Sequence, residues 1–255
     1  MTPSSAPPWS AAGSIRMPEA RLALVTGAAQ GLGRAVAMAL HQAGWRVAAL
    51  DVNEGALAYL EMDAPGLRTW TVDLANADAT RTTLDEVREA MGHVSYLVHN
   101  AAILIEEPFE TVTWARWTAT VDVGLQAAYL LTQAMWQDCL AENWGRIVYV
   151  SSRSGIVGFA NEVPYCAAKH GLEGMMKALA LESEGTGVAV STITPGMYMH
   201  TPMSERNYPP EAKAQWVEPS ELAPAFVHLG TVPDARYSGQ RLDAWQISQE
   251  LAHGS

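Results

Sequence analysis

Tyr165 and Lys169 stand four residues apart in the stretch SSRSGIVGFANEVPYCAAKHGLEGMMKALALE, and Tyr165 lies thirteen residues beyond Ser152. On a helix that spacing puts both side chains on one face, one turn apart, so an ammonium can lie beneath a phenol and favour its ionised form. An unassisted tyrosine titrates near ~10 and is a poor base at neutral pH. A neighbouring cation brings it into range, and a hydroxyl such as that of Ser152 can hold the reacting oxygen. The same spacing also describes an ordinary surface pair on a helix, so the elements around it decide whether it is chemical.

The first such element is the apolar run Arg21 to Thr26, which meets Gly27-Ala28-Ala29-Gln30-Gly31-Leu32-Gly33 before a helical pattern from Arg34 to Gln42 closed by Gly44. This is a strand, a glycine turn and a helix. The three glycines let the backbone bend and approach a ligand, the helix start presents free N–H groups, and a pyrophosphate would fit beside Gln30 and Leu32. The plain alternative is a strand-to-helix loop; a P-loop is excluded because no Gly-Lys-Ser/Thr follows. The second run, Trp45 to Leu50, ends at Asp51, whose carboxylate can accept from both hydroxyls of an adenosine ribose and would repel a 2′-phosphate. That favours NAD over NADP, unless Asp51 simply caps a helix starting at Asn53 and Glu54.

A third strand over 67–72 leads to Asp73-Leu74, placed to face an adenine or to make a turn, and a helix spans 78–91. The fourth strand, Val94 to Val98, delivers His99-Asn100-Ala101-Ala102, small and polar where a cofactor would cross a sheet. A short helix over 113–120 and a long one over 122–142 follow; the long one is apolar on more than one face, as expected of burial on two sides. The fifth strand, Arg146 to Val150, delivers Ser151 and Ser152; the sixth, Val188 to Thr194, ends at Pro195-Gly196. This alternation predicts an α/β fold: a doubly wound, mostly parallel Rossmann-type sheet with helices on both faces, in a single domain over 20–255. Ligands bind beyond the carboxyl ends of such strands, where every motif lands.

The totals narrow the partners. Acidic residues outnumber basic ones 27 to 16, for a net charge of −11, which argues against nucleic acid and anionic membranes. No apolar stretch reaches the ~18 residues of a membrane helix. Cys139 and Cys166 fall in predicted helices without a C-x-x-C, so free thiols and a cytoplasmic location are expected, and no metal site is expected. Residues 1–19, rich in Pro, Ser and Ala, read as a flexible extension without a signal-peptide core.

With TGAAQGLG, HNAA, Ser152, YCAAK and Pro195-Gly196 in that order, the sequence resembles the short-chain dehydrogenase/reductase family from about Arg21 to Asp243. The resemblance implies hydride transfer between a nicotinamide and a carbinol or carbonyl carbon, and a homodimer or homotetramer. It makes Tyr165 the general acid/base, Lys169 the residue that binds the nicotinamide ribose and lowers the tyrosine's pKa, and Ser152 the hydrogen-bond partner of the substrate oxygen. Thr201, after Pro195-Gly196, would contact the cofactor, although PGMYMHTPM is one residue longer than the usual pattern.

Three departures stand out. The family's D-V-N-L segment, whose Asn helps hold a water joining the lysine to a proton relay, reads Asp122-Val123-Gly124-Leu125 here. Gly124 leaves room for a replacement water on our preferred reading; alternatives are a substitute such as Gln126, or impaired turnover. His99 stands where Asn is usual, read as a wall residue, and Asp243-Ala244-Trp245 replaces the usual D-G-G. Specificity is expected in a short loop over about 196–217 and around the serine. There Arg153 and His200 can hold an anion, Asn161 and Glu162 can read hydroxyls, and Ser154 and Met197 line the pocket. The expected function is NAD-dependent oxidation or reduction on a sugar, polyol or hydroxy acid. The alternatives are a carbonyl or 3-oxoacyl reductase and a non-catalytic nucleotide-binding regulator.

Overall fold

The first strand of the computed structural model, β1 (Leu22–Thr26), alternates between two cores: Leu22 and Leu24 face one, Ala23 and Val25 the other. A strand covered on both faces must be apolar at nearly every position, which is why these runs show no polar alternation. The structure describes residues 21–254, so the expected extension over 1–19 lies outside the described residues. Strands β2 (Arg46–Asp51), β4 (Tyr96–His99), β5 (Gly145–Val150) and β6 (Val188–Thr194) are buried in the same way, while β3 (Arg68–Thr71) and β7 (Arg241–Asp243) close the edges.

The seven strands run in the order β3-β2-β1-β4-β5-β6-β7, and every pairing is parallel. Sheet growth reverses at β1, which pairs with β2 on one side and β4 on the other, and this opens a crevice at the carboxyl edge. Register sets what reaches that edge. Thr26 stands opposite Leu50, and Val25 opposite Val98, so the chain leaves the sheet at Gly27, Asp51 and Asn100 side by side.

Helices cover both faces, as expected. One core gathers α1 (Gly31–Gln42), α2 (Glu54–Asp63), α8 (Ala223–Thr231) and α9 (Ala244–His253); the other gathers α3 (Ala77–Met91), α5 (Ala127–Ala141) and α6 (Val163–Glu182). Two boundaries differ from the sequence reading. Helix α1 begins at Gly31 rather than Arg34, because the last glycines of the turn are already its first helical turn. The long helix is one run from α4 (Trp114–Val121) through a π turn at Asp122–Gln126 into α5, so the segment containing Gly124 is a local widening of a continuous helix. Four elements escaped the reading, α7 (Pro202–Asn207), α8, α9 and the three-residue β7, and α2 was read only as an alternative. The loop after β6 carries α7 (Pro202–Asn207) and returns through a bridge between Met199 and Val217. Among the described residues, no helix is long and apolar enough to cross a membrane and no cluster of side chains has metal-ligand character.

Candidate active site

A cleft of about 950 Å³ runs along the carboxyl edge of the sheet. Its lining includes Gly27, Gln30, Gly31, Leu32, Asp51, Asp73, Leu74, Asn100, Ala101, Pro195, Gly196 and Thr201. The same cavity holds Ser152, Tyr165 and Lys169 together with Arg153, Ser154, Glu162 and Met197. Three expected residues are not on the lining: Asn161, whose backbone is left-handed at φ +66° and whose carbonyl accepts from Glu107 N–H at 3.0 Å, together with Gly33 and His200. Gly33 faces the other way: a Cβ there would lie 2.1 Å from the Gly27 carbonyl oxygen, so this glycine lets α1 pack against the turn rather than touching a ligand. His200 is exposed and packs edge-on against Trp216, ring centroids 5.4 Å apart.

At one end of the cleft the backbone is shaped for a phosphate. Gly27 and Gly31 have φ of +64° and +56°, a region that disfavours side chains, and Gln30 opens α1 without a side-chain cap. Helices α2, α3 and α4 are capped by Asn53, Asn76 and Thr113, whereas the first N–H groups of α1 are left free at the cavity. Asn100 donates to the carbonyls of Thr26 and Gly27 at 3.1 and 3.2 Å, tying β4 to the turn. Asp51 is not the cap of α2, which is Asn53; its carboxylate accepts from the N–H of Ala29 and of Asn53, both at 3.0 Å, and is fixed at the strand end. Asp73 both lines the cleft and makes a turn through Ala75 N–H at 2.9 Å, so its two readings coexist. Thr201 packs over Gly31, but its hydroxyl accepts from Ser204 N–H at 3.1 Å and so caps α7.

At the other end, Ser152 Oγ accepts from Ser154 N–H at 3.2 Å and donates to Ser154 Oγ at 3.3 Å, which donates onward to Glu162 at 2.7 Å. Lys169 is buried and donates to the Val150 carbonyl at 2.7 Å, and burial lowers its pKa to about 8 against the opposing pull of Glu173. Its ammonium lies 5.4 Å from the Tyr165 ring centroid. The expected lowering of the Tyr165 pKa is not found in the protein alone. Burial of the phenol dominates and holds it above its ordinary value, Ser152 opposes that, and Tyr208, Glu162 and Cys166 add to it.

Behind this group, Glu173 accepts from Ser151 Oγ at 2.5 Å, Thr192 Oγ1 at 2.9 Å and Arg241 Nε at 3.2 Å, and Arg241 also donates to the Ser152 carbonyl at 3.0 Å. Glu173 lies four residues beyond Lys169, a signal present in the sequence; Arg241 had none, because β7 is too short to show. Glu106 and Tyr208 are further lining residues that the sequence reading missed, both in loops without periodicity. Gly124 packs closely against α6: a Cβ there would lie 3.1 Å from Ala168 Cβ, so a side chain at this position needs the two helices to give by a few tenths of an ångström. Gln126 is not on the cleft lining. Gly196, with φ of +80°, lies beneath Asp243, which caps α9 through Gln246 N–H at 2.9 Å. The Asp-Ala-Trp segment is thereby anchored to the cleft.

The short chain dehydrogenase family model matches residues 21–212. The chain belongs to the short-chain dehydrogenase/reductase family. An acetoacetyl-CoA reductase of Paracoccus denitrificans is 34% identical to this dehydrogenase over 221 residues, 83% of this chain and 91% of its own. A D-threitol dehydrogenase of Mycolicibacterium smegmatis is 33% identical over 237 residues, 88% and 91% of the two chains. A solved structure of a candidate NAD(P)-dependent gluconate 5-dehydrogenase from Beutenbergia cavernae, with NADP at low occupancy, matches with a TM-score of 0.76 at 31% identity, covering 89% of this chain and 97% of that one.

This short-chain dehydrogenase is therefore an oxidoreductase with a nicotinamide cofactor, and the uncapped helix and the left-handed glycines fit the pyrophosphate of such a group. When bound, the nicotinamide supplies or accepts the hydride.

Proposed function

We propose that the enzyme uses NAD to interconvert a secondary alcohol and a ketone on a small, uncharged sugar or polyol. The reading rests on one observation, that carboxylates stand at both ends of the cleft that holds Ser152, Tyr165 and Lys169. At the nucleotide end Asp51 is held by two backbone amides, and the cations on the lining, Arg153 and Lys169, belong to the serine and tyrosine end. A 2′-phosphate there would meet a carboxylate and no counter-charge, although the Beutenbergia structure holds NADP. At the substrate end Glu106 and Glu162 line the cavity, and burial together with Glu106 raises the Glu162 pKa. Carboxylates suit hydroxyl groups and disfavour the carboxylate of a hydroxy acid. Arg153, exposed and 5.7 Å from the Phe159 ring, is a cation on the lining able to offset them at the rim.

In this reading Ser152 donates to the substrate oxygen, Tyr165 exchanges the proton with it, and Lys169 holds the ribose. A phenol held above its ordinary pKa is protonated, the form from which ketone reduction starts, although burial makes it a weaker acid than a free phenol. Alcohol oxidation needs added positive charge at the site. The similarity to D-threitol dehydrogenase supports a polyol, and that to acetoacetyl-CoA reductase supports the runner-up, a ketone reductase for acyl substrates. The exposed Trp114 and Tyr129 on α4 and α5 support a homodimer or homotetramer, and the free thiols of Cys139 and Cys166 support the cytoplasm.

The test is reduced-nicotinamide formation with NAD and NADP across sugars, polyols and hydroxy acids, with acetoacetyl-CoA in reverse. A polyol or sugar turned over with NAD, lost by a factor of roughly 10² or more in Tyr165→Phe while NAD still binds, is the expected result. NAD binding with no turnover of any substrate, and no effect of Tyr165→Phe, would establish a non-catalytic nucleotide binder instead.

A further inference from the structure

Edge strand β7 sends its side chains to two sides. Leu242 packs into the core that gathers α1, α2, α8 and α9, while Arg241 and Asp243, two residues apart, share the other face. Asp243 lies over Gly196 on the cleft lining. Arg241, in register with Thr192, runs under the serine turn: its Nε donates to Glu173 Oε1 at 3.2 Å and its Nη2 to the Ser152 carbonyl at 3.0 Å. The Arg241 side chain is 27% exposed and that of Glu173 6%.

The Ser152 carbonyl also accepts from Gly155 N–H at 3.0 Å, so one of its lone pairs is taken by the turn itself and the other by Arg241. The turn is short. Ser152 is extended, with φ of −154° and ψ of 170°, and Arg153–Gly155 coil into a single 3-10 turn. Fixing the Ser152 carbonyl therefore fixes ψ at this residue, and with it the direction in which the hydroxyl leaves the backbone. The turn rests directly on the network behind it: a Cβ on Gly155 would lie 2.7 Å from Ser151 Oγ and 3.2 Å from Glu173 Cγ.

We propose that Arg241 is a positioning residue for Ser152. Its guanidinium joins the backbone of the serine to Glu173, the carboxylate behind Lys169, so one side chain from the C-terminal strand sets both ends of that group. A planar fork suits the task because it spans two acceptors in a fixed geometry. Arg241 is not on the cleft lining, so it acts through Ser152. Its effect on turnover rests on the hydride-transfer reading; its hold on the turn does not.

Arg241→Gln separates the two bonds. The glutamine amide nitrogen, attached to Cδ like the arginine Nε, keeps a donor beside Glu173, and nothing remains at the place of Nη2. This variant should lower kcat roughly tenfold while NAD affinity, read by tryptophan fluorescence, changes less than about twofold. In a Ser152→Ala background the same substitution should cost less than about twofold, because the hydroxyl it positions is gone. Equal losses in the two backgrounds, or no loss in either, overturn the proposal. Hydrogen exchange without ligands gives a readout independent of turnover. The amides of Ser154 and Gly155, bonded to the Ser152 hydroxyl and carbonyl, should exchange at least about tenfold faster in Arg241→Gln, while that of Ala29, bonded to Asp51 at the other end of the cleft, keeps its native rate. Unchanged exchange at Ser154 and Gly155, or equal acceleration at all three amides, overturns it as well. If Arg241→Gln does not fold, Arg241→Lys, which keeps a cation beside Glu173 without the fork, is put through both measurements with the same criteria. No turnover of any substrate by the native enzyme would remove the proposed function and leave the exchange measurement to decide on Arg241.

Discussion

Glu173→Gln tests how the buried lysine is kept charged. Glu173 is the group that raises the Lys169 pKa, against the burial that brings it to about 8. At the ~6 Å spacing of an i,i+4 pair and an effective dielectric near ~20, one charge is worth roughly 3 kcal/mol, or about two pH units, as an upper bound. The variant should therefore lower the Lys169 pKa by about one to two units. Gln replaces the carboxylate without emptying the site: the hydroxyls of Ser151 and Thr192 can reverse to accept from the amide, and Arg241 keeps its bond to the Ser152 carbonyl at 3.0 Å. The cost left is the Arg241 guanidinium without its carboxylate partner, on the order of 1–3 kcal/mol.

Two pH assays follow, and their signs are fixed. Lys169 has a folded pKa of about 8 against an ordinary 10.5, so between these the unfolded chain binds more protons and stability rises with pH. Below about 8 both states hold the cation and this contribution is flat. In Glu173→Gln the rise should begin about one to two units lower, at roughly 1.4 kcal/mol per unit, in urea unfolding across pH 6–9. The alkaline limb of kcat/KM should move to lower pH by the same amount, since loss of the ammonium removes the ribose contact. An unmoved limb together with an unmoved stability slope would refute the reasoning, because it would mean that Glu173 does not act on Lys169.

Asp51→Ala should raise the KM for NAD roughly tenfold or more and improve NADP use, measured as the ratio of kcat/KM for the two cofactors; native preference for NADP would reverse the argument from the anchored carboxylate. Glu162→Gln should raise kcat/KM for a hydroxy acid relative to a polyol by about tenfold, as one repulsive charge leaves the pocket. An unchanged ratio would place the discrimination elsewhere, with Glu106 the next candidate.

The sheet, its carboxyl edge and nearly the whole cleft were legible because each strand ends in a polar or glycine-rich step that no buried strand would carry: Gly27, Asp51, Asp73, Asn100, Ser152 and Gly196. What was not legible depends on partners distant in the chain. Gly33 and Gly31 look alike in TGAAQGLG, yet a Cβ on one would strike the Gly27 carbonyl at 2.1 Å and on the other would approach Thr201 Cγ2 at 3.2 Å. His200 and Arg153 both read as cations near the pocket, and only the return of the loop onto Trp216 separates them. Arg241, Glu106 and Tyr208 stand where no period marks them.

The i,i+4 rule identified Tyr165 and Lys169 but gave the wrong sign for the phenol, because a spacing carries no information about burial. In the folded chain the phenol is pushed up and the ammonium down, each toward its neutral form. The protein alone therefore keeps the proton on Tyr165, with Ser152 as the group favouring its release. Lys169 is held near the edge of ionisation, with Glu173 behind it and the neutral His99 within electrostatic reach. In the proposed reading Tyr165 becomes a base for alcohol oxidation, and an oxidised nicotinamide would supply the positive charge it needs. On that reading the oxidised nicotinamide would have to be in place before the alcohol is deprotonated, and this order follows from which groups the fold has buried.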